Sequence, residues 1–209
     1  MKTLGKKVIF ETPQEIVNPE HTALVIWDSQ EELISRIFNR DEYLANIRKL
    51  LDAAHLHQVP VIYAKINHEP LDYQSGWSIY KNMKRFKVDD PTKIPVMKPG
   101  SPQSEIHPAI APVVGDQVIN RPVTGIFFGT DFPQWMRNRG VQTILVAGIS
   151  TEQGVENTSR DAGRCGFYPV IISDCVSSMD QTAHEMALKI MSRLFIVMSL
   201  EDIMKVWAE

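Results

Sequence analysis

Three residues concentrate the chemical interest of this 209-residue chain: Asp28, Arg121 and Gly154. Asp28 closes the apolar run ALVIWD, Arg121 closes QVINR, and Gly154 lies in GISTEQGVENTSRDAGRCG, where helical spacing begins. A glycine inside a helix costs about 0.8–1 kcal/mol relative to alanine, so its place there asks what needs the missing side chain. Ser150 and Gln153 stand at capping-box spacing around the helix start, which predicts that the backbone N–H groups of 153–155 lack intrahelical partners. Such an N-terminus, with no side chain in the way, admits an anion. Arg121 adds a planar fork of donors that matches a carboxylate, where a lysine would offer a point charge. The expected substrate is therefore a small molecule bearing a carboxylate or another planar anion. A nearby cation lowers an aspartate pKa, whereas enclosure raises it. Asp28 is thus either a proton donor in a closed pocket or one half of a structural ion pair with Arg121.

The pattern of the rest of the chain places these residues together. Apolar, β-branched runs at 23–28, 59–67, 117–121, 142–149, 168–174 and 194–199 read as strands. Helical spacing follows at 39–57, 131–140, 151–165 and 180–193, the first opened by an Asn39–Glu42 capping box. Continuous apolar strands alternating with amphipathic helices predict an α/β fold, three-layer α/β/α, with a mostly parallel sheet. In such sheets a ligand sits beyond the carboxyl ends of the strands, where strand order reverses. The segment 68–116, with seven prolines, reads as mostly irregular. It carries Trp77, Tyr80, Lys84 and Arg85, in WSIYKNMKRF, either as a lid over the site or as an amphipathic helix.

Composition excludes several function classes. A formal charge of −3 and a pI near 6.1, with no Lys/Arg run longer than two, offer no footprint for nucleic acid. No apolar run approaches the roughly 20 residues needed to span a bilayer, and the N-terminus lacks a signal-peptide core. Two cysteines, Cys165 and Cys175, make no disulfide framework. A cytoplasmic protein is expected, one domain over 1–209 with an extension at 1–20, free of membrane and nucleic-acid partners.

Four segments in order, ALVIWDSQ, GSPQSEIHP, VINRPVTGIFFGTDF and GISTEQGVENTSRDAGRCGFYPVIISD, resemble the isochorismatase-like hydrolases, a family that includes nicotinamidases and other cysteine amidohydrolases. The resemblance runs from about Thr22 to Met198 and implies a six-stranded Rossmann-like sheet, a homo-oligomer, and a non-proline cis peptide near Ile149 and Ser150. Its catalytic trio of aspartate, lysine and cysteine falls on Asp28, Arg121 and Gly154, so two of the three positions differ. Glycine supplies no nucleophile. Cys165 lies about 16 Å further along the same helix at 1.5 Å per residue, and no base matches Cys175, so a thioester route is not expected.

True isochorismatases resemble this chain in carrying glycine at that position. They cleave an enol ether: the aspartate, as general acid, protonates the vinyl carbon, and water attacks the resulting oxocarbenium carbon to release pyruvate. The resemblance thus implies Asp28 as acid, Arg121 as anion clamp and Gly154 as an opening. Gln30, Trp77, Ile149, Ser150, Gln153 and Val155 complete the candidate substrate contacts; for Gln30 a loop-stabilising role is the alternative. Two other readings stand beside this one: an inactive relative that binds a small anion or a protein partner, and a trap variant in which Gly154 replaces a nucleophile. Zinc-binding relatives carry an aspartate and two histidines after strand two. Here only His68, with Glu69 and Asp72, is available, and no metal or cofactor is expected.

Overall fold

The computed structural model describes residues 2–66, 69–95, 97–121 and 124–208. The central strands are β3 (Thr22–Trp27), β4 (Val61–Ile66), β5 (Gln117–Arg121), β6 (Thr143–Ile149), β7 (Tyr168–Ser177) and β8 (Ile196–Met198), preceded by a small hairpin of β1 (Lys2–Leu4) and β2 (Lys7–Ile9). Order in the main sheet is β5-β4-β3-β6-β7-β8, and every pairing is parallel. The chain winds outward from β3 through β4 to β5, then returns to build the other half from β6. The reversal, and with it the crevice for a ligand, falls between β3 and β6.

Residues alternate across β3, and both faces are covered. Leu24 and Ile26 meet Tyr43, Ile47 and Leu50 of α3 (Arg40–Leu56), backed by Leu200 and Ile203 of α8 (Leu200–Trp207). Ala23, Val25 and Trp27 face the opposite layer, built from α5 (Phe132–Asn138), α6 (Glu156–Arg164) and α7 (Gln181–Met191). This two-sided burial is why the strand reads as a continuous apolar run rather than an alternating one. The remaining helices are α1 (Pro13–Ile16), α2 (Glu31–Ile34) and α4 (Gly76–Phe86). Among the described residues no helix is long and apolar enough to cross a membrane.

Several local readings need correction. The Asn39–Glu42 capping box does not form: Asn39 makes no side-chain cap bond, and its Oδ1 instead accepts from the Ser177 hydroxyl. Strand β7 runs three residues past the expected end at Asp174, because after a register shift Val176 and Ser177 pair with Gly148 and Ile149 of β6. Asp174 Oδ1 accepts from the Leu200 amide at 2.8 Å, and its carbonyl accepts from Asn46 at 2.9 Å. The expected helix over 151–165 divides into a π-helical turn, Thr151–Val155, and α6. Helix α8, beyond the last expected strand, is opened by a Ser199–Asp202 capping box and anchored by Trp207, whose indole donates to the Val17 carbonyl at 2.7 Å.

Candidate active site

A cavity of about 730 Å³ opens at the carboxyl ends of β3–β6 and brings Asp28, Arg121 and Gly154 together in its wall. Asp28 follows β3 directly, with φ +46°. That left-handed conformation is uncommon for a residue with a side chain, though aspartate tolerates it better than most, and it turns the chain out of the strand. The Asp28 amide still donates to the Ala64 carbonyl at 2.8 Å, so the bend begins from a fully paired strand end. Arg121, at the end of β5, reaches past β4 and places Nη2 2.6 Å from Asp28 Oδ1. It is 1% exposed, and its Cζ lies 3.8 Å from the centroid of the Trp27 ring.

Burial is the largest influence on Asp28 and pushes its carboxyl up to about 6. The charge and hydrogen bond of Arg121, the Ile66 amide and the charge of Arg85 pull the other way without overcoming it. The ion-pair alternative is thus present as geometry, and burial nonetheless leaves the paired Asp28 carboxyl raised to about 6. Its side chain is 14% exposed, in the wall of the cavity.

Gly154 does not serve as an opening. A Cβ built there would lie 1.3 Å from Trp27 Nε1 and 2.0 Å from its Cδ1, so the space is filled by indole. The helix-end anion site expected from sequence loses two of its three donors, since the amides of Gln153 and Val155 both donate to the Ser150 carbonyl, at 3.1 and 3.3 Å. Ser150 makes no side-chain cap bond. The Val155 bond spans five residues and belongs to the π turn, whereas the Gln153 bond spans three and is of the tighter 3₁₀ type. The turn is tied down by Thr151, whose hydroxyl donates to the Ser177 carbonyl at 3.0 Å and stands 2.7 Å from His184 Nδ1. The peptide between Ile149 and Ser150 is cis.

Of the other candidate contacts, Ile149, Ser150, Gln153 and Trp77 line the cavity. Val155 does not; its side chain packs into the core beneath α5–α7. Gln30 is wholly buried and serves the backbone: its Nε2 donates to the carbonyls of Ser104 and Ile66 at 2.8 and 3.2 Å, and its Oε1 accepts from the Ile66 amide at 3.0 Å. The stabilising reading of Gln30 is the one the geometry bears out. Gln30→Ala is expected to cost about 3 kcal/mol, since each enclosed group left unpaired costs about 1–3 kcal/mol. A lower urea midpoint would show it; an unchanged midpoint with altered substrate affinity would contradict it.

Helix α4 supplies a wall that the sequence reading left undecided. Trp77, Ser78, Lys81, Asn82 and Arg85 all line the cavity, and their spacing marks one helical face. Tyr80 and Lys84 do not line it; Tyr80 stacks on Trp77 with centroids 6.0 Å apart, and Lys84 lies over the Tyr80 ring. Among the described residues Lys81, Arg85 and Lys98 line the cavity without an ion-pair partner, whereas Arg36 is paired with Glu32 and Arg121 with Asp28. Arg85 is the residue the sequence reading undervalued: its charge reaches Asp28, and the helical spacing of α4 was the signal.

No thiol among the described residues lines the cavity. Cys175 is buried inside β7, where enclosure pushes its thiol well above the ordinary range, and Cys165 caps the far end of α6. His68, weighed as a metal ligand, lies outside the described residues.

The isochorismatase domain family matches residues 22–202. The chain belongs to the isochorismatase family. It is 31% identical over 194 residues to the uncharacterized isochorismatase family protein YecD of Escherichia coli O157:H7, covering 90% of this chain and 97% of that one. It is also 31% identical over 128 residues to maleamate amidohydrolase of Pseudomonas putida, covering 60% of this chain and 55% of the other. Among solved structures, a cysteine hydrolase from Pseudomonas syringae pv. phaseolicola 1448A superposes with a TM-score of 0.80 at 22% identity, over 98% and 99% of the two chains, which is a likeness of fold. The isochorismatase-family hydrolase fold thus carries, in this chain, a cavity in which indole stands against Gly154.

Proposed function

We propose that this isochorismatase-family hydrolase acts without a cysteine nucleophile on a small carboxylate-bearing substrate, by acid-catalysed cleavage of an enol ether. The observation that carries the proposal is the pairing of a carboxyl raised to about 6 with a position 154 where no nucleophile fits. Asp28 in its protonated form donates to the terminal vinyl carbon, and the electron pair of the double bond forms the new C–H bond. Water adds to the oxocarbenium carbon, the hemiketal collapses, and pyruvate and an alcohol leave while the proton released in hydration restores the carboxyl. Arg85 and Arg121 hold the substrate carboxylate, Arg121 with its guanidinium fixed between Asp28 and the Trp27 ring.

The amide-cleaving alternative is supported by maleamate amidohydrolase among the relatives, but that chemistry as the sequence resemblance implies it needs the thiol this cavity lacks. The trap-variant reading is disfavoured because a cysteine at 154 would collide with indole. Pyruvate release from isochorismate, measured for the protein and for Asp28→Asn, tests the proposal. Release that depends on Asp28 supports it; no release from the parent protein removes enol-ether cleavage of isochorismate and leaves binding of an anion as the alternative.

A further inference from the structure

We propose that Trp27 is the specificity-determining residue of this cavity: its indole holds the space that a side chain at 154 requires, and confines the site to reactions that form no covalent bond there. Position 27 is the last residue of β3, paired with Gly148 of β6, and on the face of the sheet that carries α6. A Cβ at Gly148 would lie 2.1 Å from the Trp27 carbonyl, so the backbones approach closely and the ring is delivered under the π turn. There the pyrrole edge fills position 154, with Nε1, Cδ1 and Cε2 all within 2.1 Å of where a Cβ would stand. Three ring atoms in that range mean the whole ring must move to admit a side chain.

The ring is also held from its face. Arg121 Cζ stacks 3.8 Å from its centroid, and Arg121 is in turn bound to Asp28. Trp27 is 1% exposed and forms part of the cavity wall together with both of them. Positions 27 and 154 therefore behave as one unit with two solutions: an indole at 27 with glycine at 154, or a smaller residue at 27 with a side chain at 154. The first solution leaves Asp28 next to aromatic surface and a guanidinium, with no nucleophile to activate. The inference rests on reading this cavity as the hydrolytic site, and its test does not use turnover, so it stands or falls separately from the isochorismate assay.

The test compares the parent protein, Gly154→Cys, Trp27→Met and the double variant by urea midpoint and by alkylation with iodoacetamide, the modified thiol being located by peptide mass to separate it from Cys165 and Cys175. Gly154→Cys alone is expected to lower the midpoint and to be alkylated slowly. Adding Trp27→Met is expected to raise the midpoint again and to speed alkylation of the introduced thiol at least tenfold. Should Gly154→Cys fail to fold, Gly154→Ser with and without Trp27→Met reads the same exchange through the midpoint. A single Gly154→Cys variant as stable as the parent, with a rapidly alkylated thiol, would overturn the proposal. So would a double variant no more stable than Gly154→Cys, or one that regains stability without faster alkylation.

Discussion

Asp28→Asn is expected to reduce pyruvate release by about 10²–10⁴-fold, the usual contribution of a positioned general acid. Asparagine keeps the shape of the side chain and a hydrogen-bonding oxygen for Arg121, so the loss reports the proton rather than the packing. In the parent protein the same group is expected to set the pH dependence. A carboxyl titrating at about 6 is protonated in roughly one molecule in eleven at pH 7, and the active form falls about tenfold for each further pH unit. The rate should therefore be flat below about pH 6 and decline with unit slope above it. Arg121→Gln removes the largest influences that lower this carboxyl and should move the decline to higher pH, whatever it does to affinity. A decline that stays in place in Arg121→Gln, or that persists in Asp28→Asn, would assign the limb to another group. Stability follows the same proton with its own sign. Because the folded-state carboxyl lies above its ordinary 3.8, the folded protein retains a proton that the unfolded chain releases between about pH 4 and 6. That contribution is complete below pH 4 and is lost as pH rises through about 6, by about 3 kcal/mol at 1.36 kcal/mol per unit.

Gly154→Ala is expected to destabilise the protein by about 3 kcal/mol, the upper end of the cost of overpacking a core. The ordinary expectation for glycine to alanine in a helix is a gain of about 0.8–1 kcal/mol, so the sign itself is diagnostic. Gly163, in α6, supplies the comparison: its nearest neighbour to a new Cβ is Pro169 Cγ at 3.8 Å, an ordinary contact. Gly163→Ala should raise the urea midpoint while Gly154→Ala lowers it. Equal and positive shifts would mean that the indole swings aside at little cost, and that nothing specific joins positions 27 and 154. Gly154→Ala should also depress turnover, since moving the ring disturbs the guanidinium stacked on it and the carboxyl beyond.

The sheet was legible from the chain because burial on both faces leaves continuous apolar runs, and each of the six expected strands is present in the structure. What lay outside those runs was harder. The hairpin β1–β2 is exposed throughout, so it leaves no apolar signature. Helix α4 was obscured by its setting among prolines, although its cavity-lining residues follow a helical face.

The site shows the same division more sharply. Sequence alone was enough to single out Asp28, Arg121 and Gly154 as residues that share one cavity wall, because strand ends and a helix start fall on the same edge of a parallel sheet. It also determined the family likeness and the absence of a thiol at 154. Tertiary structure decided what each residue does. Gln30 turned out to serve three backbone groups on segments far away in the chain, Val155 to pack in the core, and the amides of 153 and 155 to be spent on Ser150. Above all, the occupant of the space at Gly154 is Trp27, which lies 127 positions earlier in the chain. A glycine announces that room is needed, but not for whom. That answer depends on which atoms a parallel pairing of β3 with β6 carries to the same point, and it exists only once the sheet has formed.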